Sequence, residues 1–216
     1  TQGRDSPKRV TPTTEGARNT HMKFGVVVFP GSNCEQDCVN VLKDVCGVPV
    51  SALWYEQTSL SGCDAIILPG GFSYGDYLRT GAVAHLAPIM RSVKQHAADG
   101  GLVLGICNGF QILLECGLLP GGILRNEGLK FICRFANLRV ERADTPFTNR
   151  FQPGQVVRMP IAHNEGRFTA DTSELETIRE QVVLRYCDAE GRVGAEANPN
   201  GSLDNIAGVA NAAKNV

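Results

Sequence analysis

Short apolar segments alternate with helical patterns through the first half of the chain. Segments rich in β-branched residues predict four buried strands, at 23–31, 49–55, 63–71 and 102–107. Apolar residues at helical spacing predict three helices, at 32–47, 82–98 and 108–119. Strands that alternate with helices at such short intervals are typical of a parallel sheet with helices on both faces. We therefore expect an α/β protein whose first strand is central.

The pattern changes after Pro120. Four segments there predict strands and hairpins joined by turns, at 128–142, 154–163, 177–191 and 205–211. We interpret them as antiparallel strand additions and as the closing strands of the same domain. This interpretation places one domain over residues 22–216.

Residues 1–21 differ from the rest of the chain in composition. They are polar and have no apolar segment of the kind that a secretory signal needs. Such a segment cannot easily bury enough apolar surface to order itself. Because His21 and Met22 resemble a cloning scar followed by an initiator methionine, we predict that residues 1–21 are a disordered leader or an added tag. A native polar tail is the alternative.

The overall composition excludes several classes of protein. Hydrophobic residues make up 43% of the chain, charged residues make up 20%, and the formal net charge is -1. These values are typical of a globular protein and give no sign of binding to nucleic acid or to an anionic membrane. The eight cysteines are irregularly spaced in a chain without a recognisable secretory signal, which favours reduced thiols and a cytoplasmic location. Cys34 and Cys38 have no second pair nearby, so we predict no metal site.

Three loops follow predicted strands, at 30–33, 69–77 and 107–110. Ligands on parallel sheets bind beside the carboxyl ends of the strands. We therefore expect these loops to lie close together around a site, although they are far apart in the sequence.

Cys107 lies in the segment GICNGFQ, where the fourth predicted strand turns into a helix. A nucleophile on such a sharp turn needs small neighbours, and Gly105 and Gly109 are small. The start of the helix places partial positive charge near the sulfur, which favours the thiolate. The backbone N–H of Asn108 could face an oxyanion, with Gly71 on the neighbouring strand end as second donor. The alternative is a small buried cysteine in a tight turn.

Three segments together resemble a known enzyme family. They are GICNGFQ at 105–111, LPGGFSYGDYLRTGAVA at 68–84 and PIAHNEGRF at 160–168. The chain resembles the class I glutamine amidotransferases and, more narrowly, the small glutaminase subunits of phosphoribosylformylglycinamidine synthase. The resemblance implies a flavodoxin-like fold, with a mostly parallel open sheet and antiparallel strand additions in the C-terminal half.

The resemblance also implies a mechanism. Cys107 attacks the side-chain amide carbon of glutamine, ammonia leaves, and water hydrolyses the remaining γ-glutamyl thioester. The backbone N–H groups of Gly71 and Asn108 hold the oxyanion, and Gln111 helps to seat the substrate. The residues expected on the substrate side are Gly70, Phe72, Asp76, Arg79, Gln111, His163, Asn164, Glu165 and Gly166.

Some of these residues have a second interpretation. Asp76 and Arg79 could bind the amino and carboxylate ends of the substrate, or could form an ion pair with each other. Residues 163–166 could border the glutamine pocket and a partner surface, or could form a simple polar turn.

The resemblance further implies partners. Ammonia would pass through a protected channel to a large synthetase subunit, which converts formylglycinamide ribonucleotide to formylglycinamidine ribonucleotide. ATP and Mg are expected on that subunit, and we predict no cofactor in this chain. A third small subunit could bridge the two.

The histidine and glutamate of the family's catalytic triad are not found in this sequence. The family takes both from a C-terminal His-Pro-Glu motif, and none occurs before Val216. We favour a truncated chain, because the sequence ends where a strand should finish. Otherwise the protein lacks a complete triad and hydrolyses glutamine very weakly. His163 and Glu165 form a His-x-Glu pair, but in the family that loop is distinct from the triad.

Two other functions remain open from the sequence. A DJ-1-like cysteine hydrolase also carries a cysteine at a strand-to-helix turn, although the loop at 70–77 and Gln111 argue against it. A catalytically incomplete subunit that scaffolds or regulates a synthetase would explain the missing His-Pro-Glu motif.

Overall fold

The computed structural model describes residues 22–216, so the leader or tag predicted at 1–21 lies outside the described residues. The first half of the described chain forms a parallel sheet of four strands. They are β1 (Phe24–Val28), β2 (Val50–Trp54), β3 (Ala65–Leu68) and β4 (Leu102–Gly105). The strand order is β2-β1-β3-β4, with β1 inside the sheet. The four predicted strands and the interior position of the first are confirmed.

Three helices accompany this sheet. They are α1 (Glu35–Asn40), which continues into a wider turn at Val41–Val45, α2 (Pro88–Ala98) and α3 (Asn108–Glu115). The prediction that a helix begins at residue 82 is wrong, because α2 begins at Pro88. A proline ring disfavours helical backbone in the preceding residue, and Ala87 is extended with φ −58° and ψ 144°.

Helices pack on both faces of the sheet, as predicted. On one face, Val26 and Ile67 contact Leu42, which follows α1. On the other face, strand residues pack against α2 and α3 in the main core, which contains Val27, Ile66, Leu68, Val103, Ile89, Val93 and Ile112. The alternation of side chains along each strand separates these two sets.

The second half of the described chain is built from antiparallel strands. Its elements are β5 (Gly122–Arg125), β6 (Ile132–Val140), β7 (Val156–His163), β8 (Glu165–Thr169), α4 (Leu175–Arg179), β9 (Val182–Cys187) and β10 (Ile206–Val209). One sheet has the order β10-β9-β6-β7, and β5 pairs with β8 in a second sheet. The predicted antiparallel additions are confirmed, whereas β5, β8 and α4 were not predicted from the sequence.

One hydrophobic core joins the two halves. Phe168 of β8 is 1% exposed, and its ring stacks on Phe110 of α3 with 6.5 Å between the ring centroids. Ile178, Val182 and Ile206 belong to the same cluster as the parallel strands. The antiparallel half is therefore packed directly against the helix that follows Cys107.

Two further observations concern the described residues only. None of the helices between residues 22 and 216 is long and apolar enough to cross a membrane. All eight cysteines lie in this range, and each is a free thiol.

Candidate active site

Cys107 occupies a strained turn between β4 and α3. Its backbone has φ 52° and ψ −108°, a left-handed conformation that is rare for residues other than glycine. A Cβ atom on Gly109 would lie 1.9 Å from the carbonyl oxygen of Leu68. A Cβ atom on Gly105 would lie 2.5 Å from Cδ1 of Leu113. The predicted need for small residues on both sides of the cysteine is confirmed.

The loops at the carboxyl ends of the strands converge on Cys107. A Cβ atom on Gly70 would lie 3.4 Å from Cβ of Cys107. Gly70 also accepts a backbone hydrogen bond of 3.3 Å from Asn33 in the first loop. The carbonyl oxygen of Ala162, at the end of β7, lies 4.0 Å from Sγ of Cys107. The three predicted loops therefore meet, and residues 163–166 of the antiparallel half adjoin them.

Both backbone donors predicted for an oxyanion lie at this edge. The N–H of Asn108 interacts with the Cys107 thiol, so it points towards the reacting atom. Gly71 has φ 140°, and a Cβ atom there would lie 2.5 Å from the backbone nitrogen of Asn33. Between residues 22 and 216, the N–H of Gly71 makes no backbone hydrogen bond outside regular strands and helices. Its role as the second oxyanion donor stays a prediction.

The surroundings of Cys107 oppose the thiolate that the sequence predicts. Burial by the surrounding atoms raises the pKa of this thiol, although the residue itself remains accessible to solvent. The Asn108 N–H lowers the pKa, while Cys34 and Asp76 raise it. Desolvation therefore acts against the thiolate that the helix start is expected to favour.

Asp76 and Arg79 do not pair with each other. Arg79 forms a bidentate ion pair with Glu115 of α3, and the shorter of its two contacts is 2.6 Å. Burial and the charge of Glu165 raise the pKa of Asp76 to about 6, against a hydrogen bond from Asn108 that lowers it. The charge of Asp76 raises the pKa of Cys107.

Gln111, expected to seat the substrate, is 7% exposed and is hydrogen bonded at both ends of its carboxamide. Its Oε1 accepts a bond of 2.9 Å from Asn108 Nδ2, and its Nε2 donates one of 2.7 Å to the carbonyl oxygen of Glu165. Its role towards the substrate stays a prediction. In this structure it links α3 to the antiparallel half.

Two buried asparagines hold the turn at residues 163–166. Asn126 donates to the carbonyl oxygen of His163 at 2.9 Å and accepts from the N–H of Gly166 at 3.1 Å. Its backbone N–H donates to the carbonyl oxygen of Asn164 at 2.9 Å. Asn200 donates to the carbonyl oxygen of Gly166 at 2.7 Å. The turn is therefore a fixed wall beside Cys107.

The imidazole of His163 belongs to this wall. Its Nε2 lies 3.1 Å from Nδ2 of Asn200, whose Oδ1 accepts from the N–H of Ser202. The Asn200 amide therefore donates, and Nε2 accepts, which requires a neutral imidazole. Burial lowers the pKa of His163, in agreement with this state. The ring packs against Gly166. A Cβ atom on Gly166 would lie 2.2 Å from Cδ2 of His163.

Sequence reasoning missed three residues of the site. Cys34 has its Sγ 3.4 Å from the Cβ position of Gly70, on the same side as Cys107. Its place directly after the first loop could have indicated this proximity. Asn126 and Asn200 lie in irregular segments, and nothing in the local sequence distinguishes them from ordinary turn residues. Within residues 22–216 there is no group of three His, Cys, Asp or Glu side chains that could hold a metal ion.

Comparisons of the sequence with known proteins agree on one family. The CobB/CobQ-like glutamine amidotransferase domain matches residues 21–213. The phosphoribosylformylglycinamidine synthase subunit PurQ of Koribacter versatilis is 54% identical over 197 residues, which are 90% of this chain and 85% of that protein. The protein of the same name from Moorella thermoacetica is 58% identical over 197 residues, which are 90% of this chain and 84% of that protein.

A solved structure also matches. One chain in the structure of PurLQS from Thermotoga maritima is 44% identical, with a TM-score of 0.80. The match covers 91% of this chain and 85% of that chain. It therefore includes both the parallel and the antiparallel halves of the fold.

Proposed function

The chain belongs to the CobB/CobQ-like glutamine amidotransferase family, and we propose that it is the glutaminase subunit of a phosphoribosylformylglycinamidine synthase. Relatives that carry this name are 54% and 58% identical to it. The observation that carries the proposal is Cys107, held in a left-handed conformation between two glycines, with the N–H of Asn108 directed towards its sulfur. Family membership favours this function over a DJ-1-like cysteine hydrolase.

The geometry supports nucleophilic catalysis at Cys107. Its Sγ attacks the side-chain carbonyl carbon of glutamine while a base takes the thiol proton, because the pKa of the thiol is raised. The oxyanion is held by the N–H groups of Asn108 and Gly71. The carbon–nitrogen bond then breaks, and the nitrogen leaves as ammonia after gaining a proton. Water attacks the γ-glutamyl thioester, which releases glutamate and restores the thiol.

We place the substrate between the loop at 70–76 and the turn at 163–166, because these segments flank Cys107. Gly70 and Phe72 bound one side of this space, and Asp76 lies behind it. His163, Asn164, Glu165 and Gly166 bound the other side. Arg79 is turned towards Glu115, so a contact with glutamine would require it to leave that ion pair.

The ammonia passes to a synthetase subunit in this proposal. That subunit holds ATP and Mg and converts formylglycinamide ribonucleotide to formylglycinamidine ribonucleotide, while this chain holds no cofactor. The name PurLQS of the similar Thermotoga maritima structure indicates an assembly of three kinds of subunit, and we infer a bridging third subunit here as well. We place the assembly in the cytoplasm.

The test is covalent labelling by an electrophilic glutamine analogue, followed by intact-mass measurement and peptide mapping. We expect one adduct on Cys107, slowed by excess glutamine, and no adduct in Cys107→Ser. Cys34→Ser is the matched control, since this second thiol lies beside the same loop and should not be needed for labelling. An adduct elsewhere, or labelling that glutamine does not slow, would contradict the assignment and favour a scaffolding subunit.

A further inference from the structure

The side chain of Asn108 connects two segments that flank the nucleophile. It is 1% exposed. Its Oδ1 accepts a hydrogen bond of 3.1 Å from the N–H of Ser73. Its Nδ2 donates to Oδ1 of Asp76 at 3.2 Å and to Oε1 of Gln111 at 2.9 Å. Both N–H donors of the Asn108 carboxamide and its oxygen therefore form hydrogen bonds inside the protein.

The loop that Asn108 binds is strained. Tyr74, Asp76 and Leu78 have positive φ angles of 53°, 54° and 71°, although none of them is glycine. Such a conformation is unfavourable for residues other than glycine and persists only when its surroundings fix it. Asn108 bonds to this loop at Ser73 and at Asp76, on either side of Tyr74. It is therefore well placed to fix a conformation that the loop would not keep alone.

A second carboxamide extends this connection to the antiparallel half. Gln111 accepts from Asn108 and donates to the carbonyl oxygen of Glu165 at 2.7 Å. The carboxylate of Glu165 in turn accepts from the N–H of Thr80 at 3.4 Å. A chain of hydrogen bonds therefore runs from the loop at 70–80, through the first turn of α3, to the turn at 163–166.

We propose that the Asn108 side chain is a positioning residue for glutamine hydrolysis. With Gln111, it fixes the loop that carries the Gly71 N–H and the turn at 163–166 relative to Cys107, so that both sides of the site keep their geometry during the reaction. The inference rests on the proposed function. It concerns the side chain of Asn108, whose backbone N–H is the separate oxyanion donor.

The variant Asn108→Asp isolates this role. A carboxylate has nearly the same shape and still accepts from the N–H of Ser73, but it has no donor for Asp76 or Gln111. The acidic groups that face it are Asp76 from the loop, Glu165 from the turn and Cys107 from the preceding residue. These groups favour protonation of the introduced carboxyl, and protonation restores one donor.

We would measure glutaminase activity of the full chain assembled with its synthetase partner. For Asn108→Asp we expect kcat to fall about 100-fold at about pH 8 with KM within about threefold. The deficit relative to the wild type should shrink to less than about tenfold near pH 6, where the introduced carboxyl regains a proton. Asn108→Leu should lose kcat similarly, without recovery at lower pH.

Asn215→Leu is the matched control. Asn215 is 6% exposed and donates to the carbonyl oxygens of Ala97 and Gly101, at the opposite end of β4 from Cys107. Its variant removes a buried carboxamide of the same size and should keep the wild-type kcat. Urea unfolding of each variant shows whether it is folded. If Asn108→Leu does not fold, Asn108→Asp alone decides.

Three results would overturn the inference. The first is a kcat within about twofold of wild type in Asn108→Asp at about pH 8. The second is a deficit that does not change with pH, which would indicate a purely structural role. The third is a wild-type assembly that neither hydrolyses glutamine nor is labelled at Cys107. That third result would refute the proposed function as well, whereas the first two leave it intact.

Discussion

Cys107 combines an accessible thiol with a backbone conformation that cysteine rarely adopts. The strain is held by close packing of Gly109 on the carbonyl oxygen of Leu68, so the turn cannot relax without moving α3 away from β3. This rigidity fixes the direction of the sulfur. Burial among the surrounding atoms raises the pKa of the thiol. The turn therefore leaves Cys107 accessible to solvent, but it does not by itself lower the pKa of the thiol.

The sequence was sufficient to predict the sharp turn at Cys107 and the need for its two glycines, because local backbone geometry determines both. It was not sufficient for the charges around them. Folding brings Arg79 into an ion pair with Glu115, and it exposes Asp76 to the charge of Glu165. The spacing of these residues in the sequence indicates neither interaction. The pKa of the Cys107 thiol depends on burial and on such through-space neighbours, which local sequence patterns do not contain.

The raised pKa of Asp76 predicts a pH-dependent cost in stability. A carboxyl with a folded pKa of about 6, above the ordinary aspartate value of 3.8, binds its proton more tightly in the folded state. Its contribution to stability is complete below about pH 4 and is lost as the pH rises through about 6. Asp76→Asn cannot ionise, so it should be more stable than wild type at about pH 8, by about 1 kcal/mol after allowance for solvent screening.

Urea unfolding at the two pH values measures this difference. At about pH 3 the two proteins should have nearly equal free energies of unfolding, because the wild-type carboxyl is then mostly neutral in both states. A variant that is less stable than wild type at about pH 8 would show that the Asp76 carboxylate is stabilised where it lies.

Among the elements, the parallel strands were predictable and β5, β8 and α4 were not. Buried parallel strands are continuous apolar runs with clear glycine or proline ends. The strand β5 has only four residues, and β8 has the mostly polar sequence EGRFT with one fully buried side chain, Phe168. These strands exist because they pair with each other and cover α3. That information is long-range, and local periodicity does not contain it.

Phe168 should therefore be a principal anchor of the antiparallel half. Phe168→Ala removes a ring that is 1% exposed and stacked on Phe110. We expect a loss of about 3–5 kcal/mol in the free energy of unfolding. Phe131→Ala is the matched control, since that ring is 52% exposed and its loss should cost less than about 0.5 kcal/mol. Equal losses in the two variants, measured by urea unfolding, would refute this role of β8.

At the scale of the whole molecule, the site lies where the two halves meet. The proposed nucleophile and the proposed oxyanion donors come from the parallel half, and the wall at 163–166 comes from the antiparallel half. Neither half alone contains the site. The hydrogen bond from Gln111 to Glu165 crosses the boundary close to Cys107, so the packing of the halves and the geometry of the site are coupled.

The proposed function separates ammonia production in this chain from ammonia use in the synthetase subunit. If this chain only releases ammonia, Cys107→Ser in the assembled synthase should lose amidine formation from glutamine by at least about 1,000-fold. With ammonium salts as the nitrogen source, the same variant should stay within about threefold of wild type, because the acceptor chemistry takes place on the synthetase subunit. Measuring formylglycinamidine ribonucleotide with each nitrogen source tests this division. Loss of both activities would mean that Cys107 also supports the assembly, and retention of glutamine-dependent synthesis would show that another group releases the ammonia.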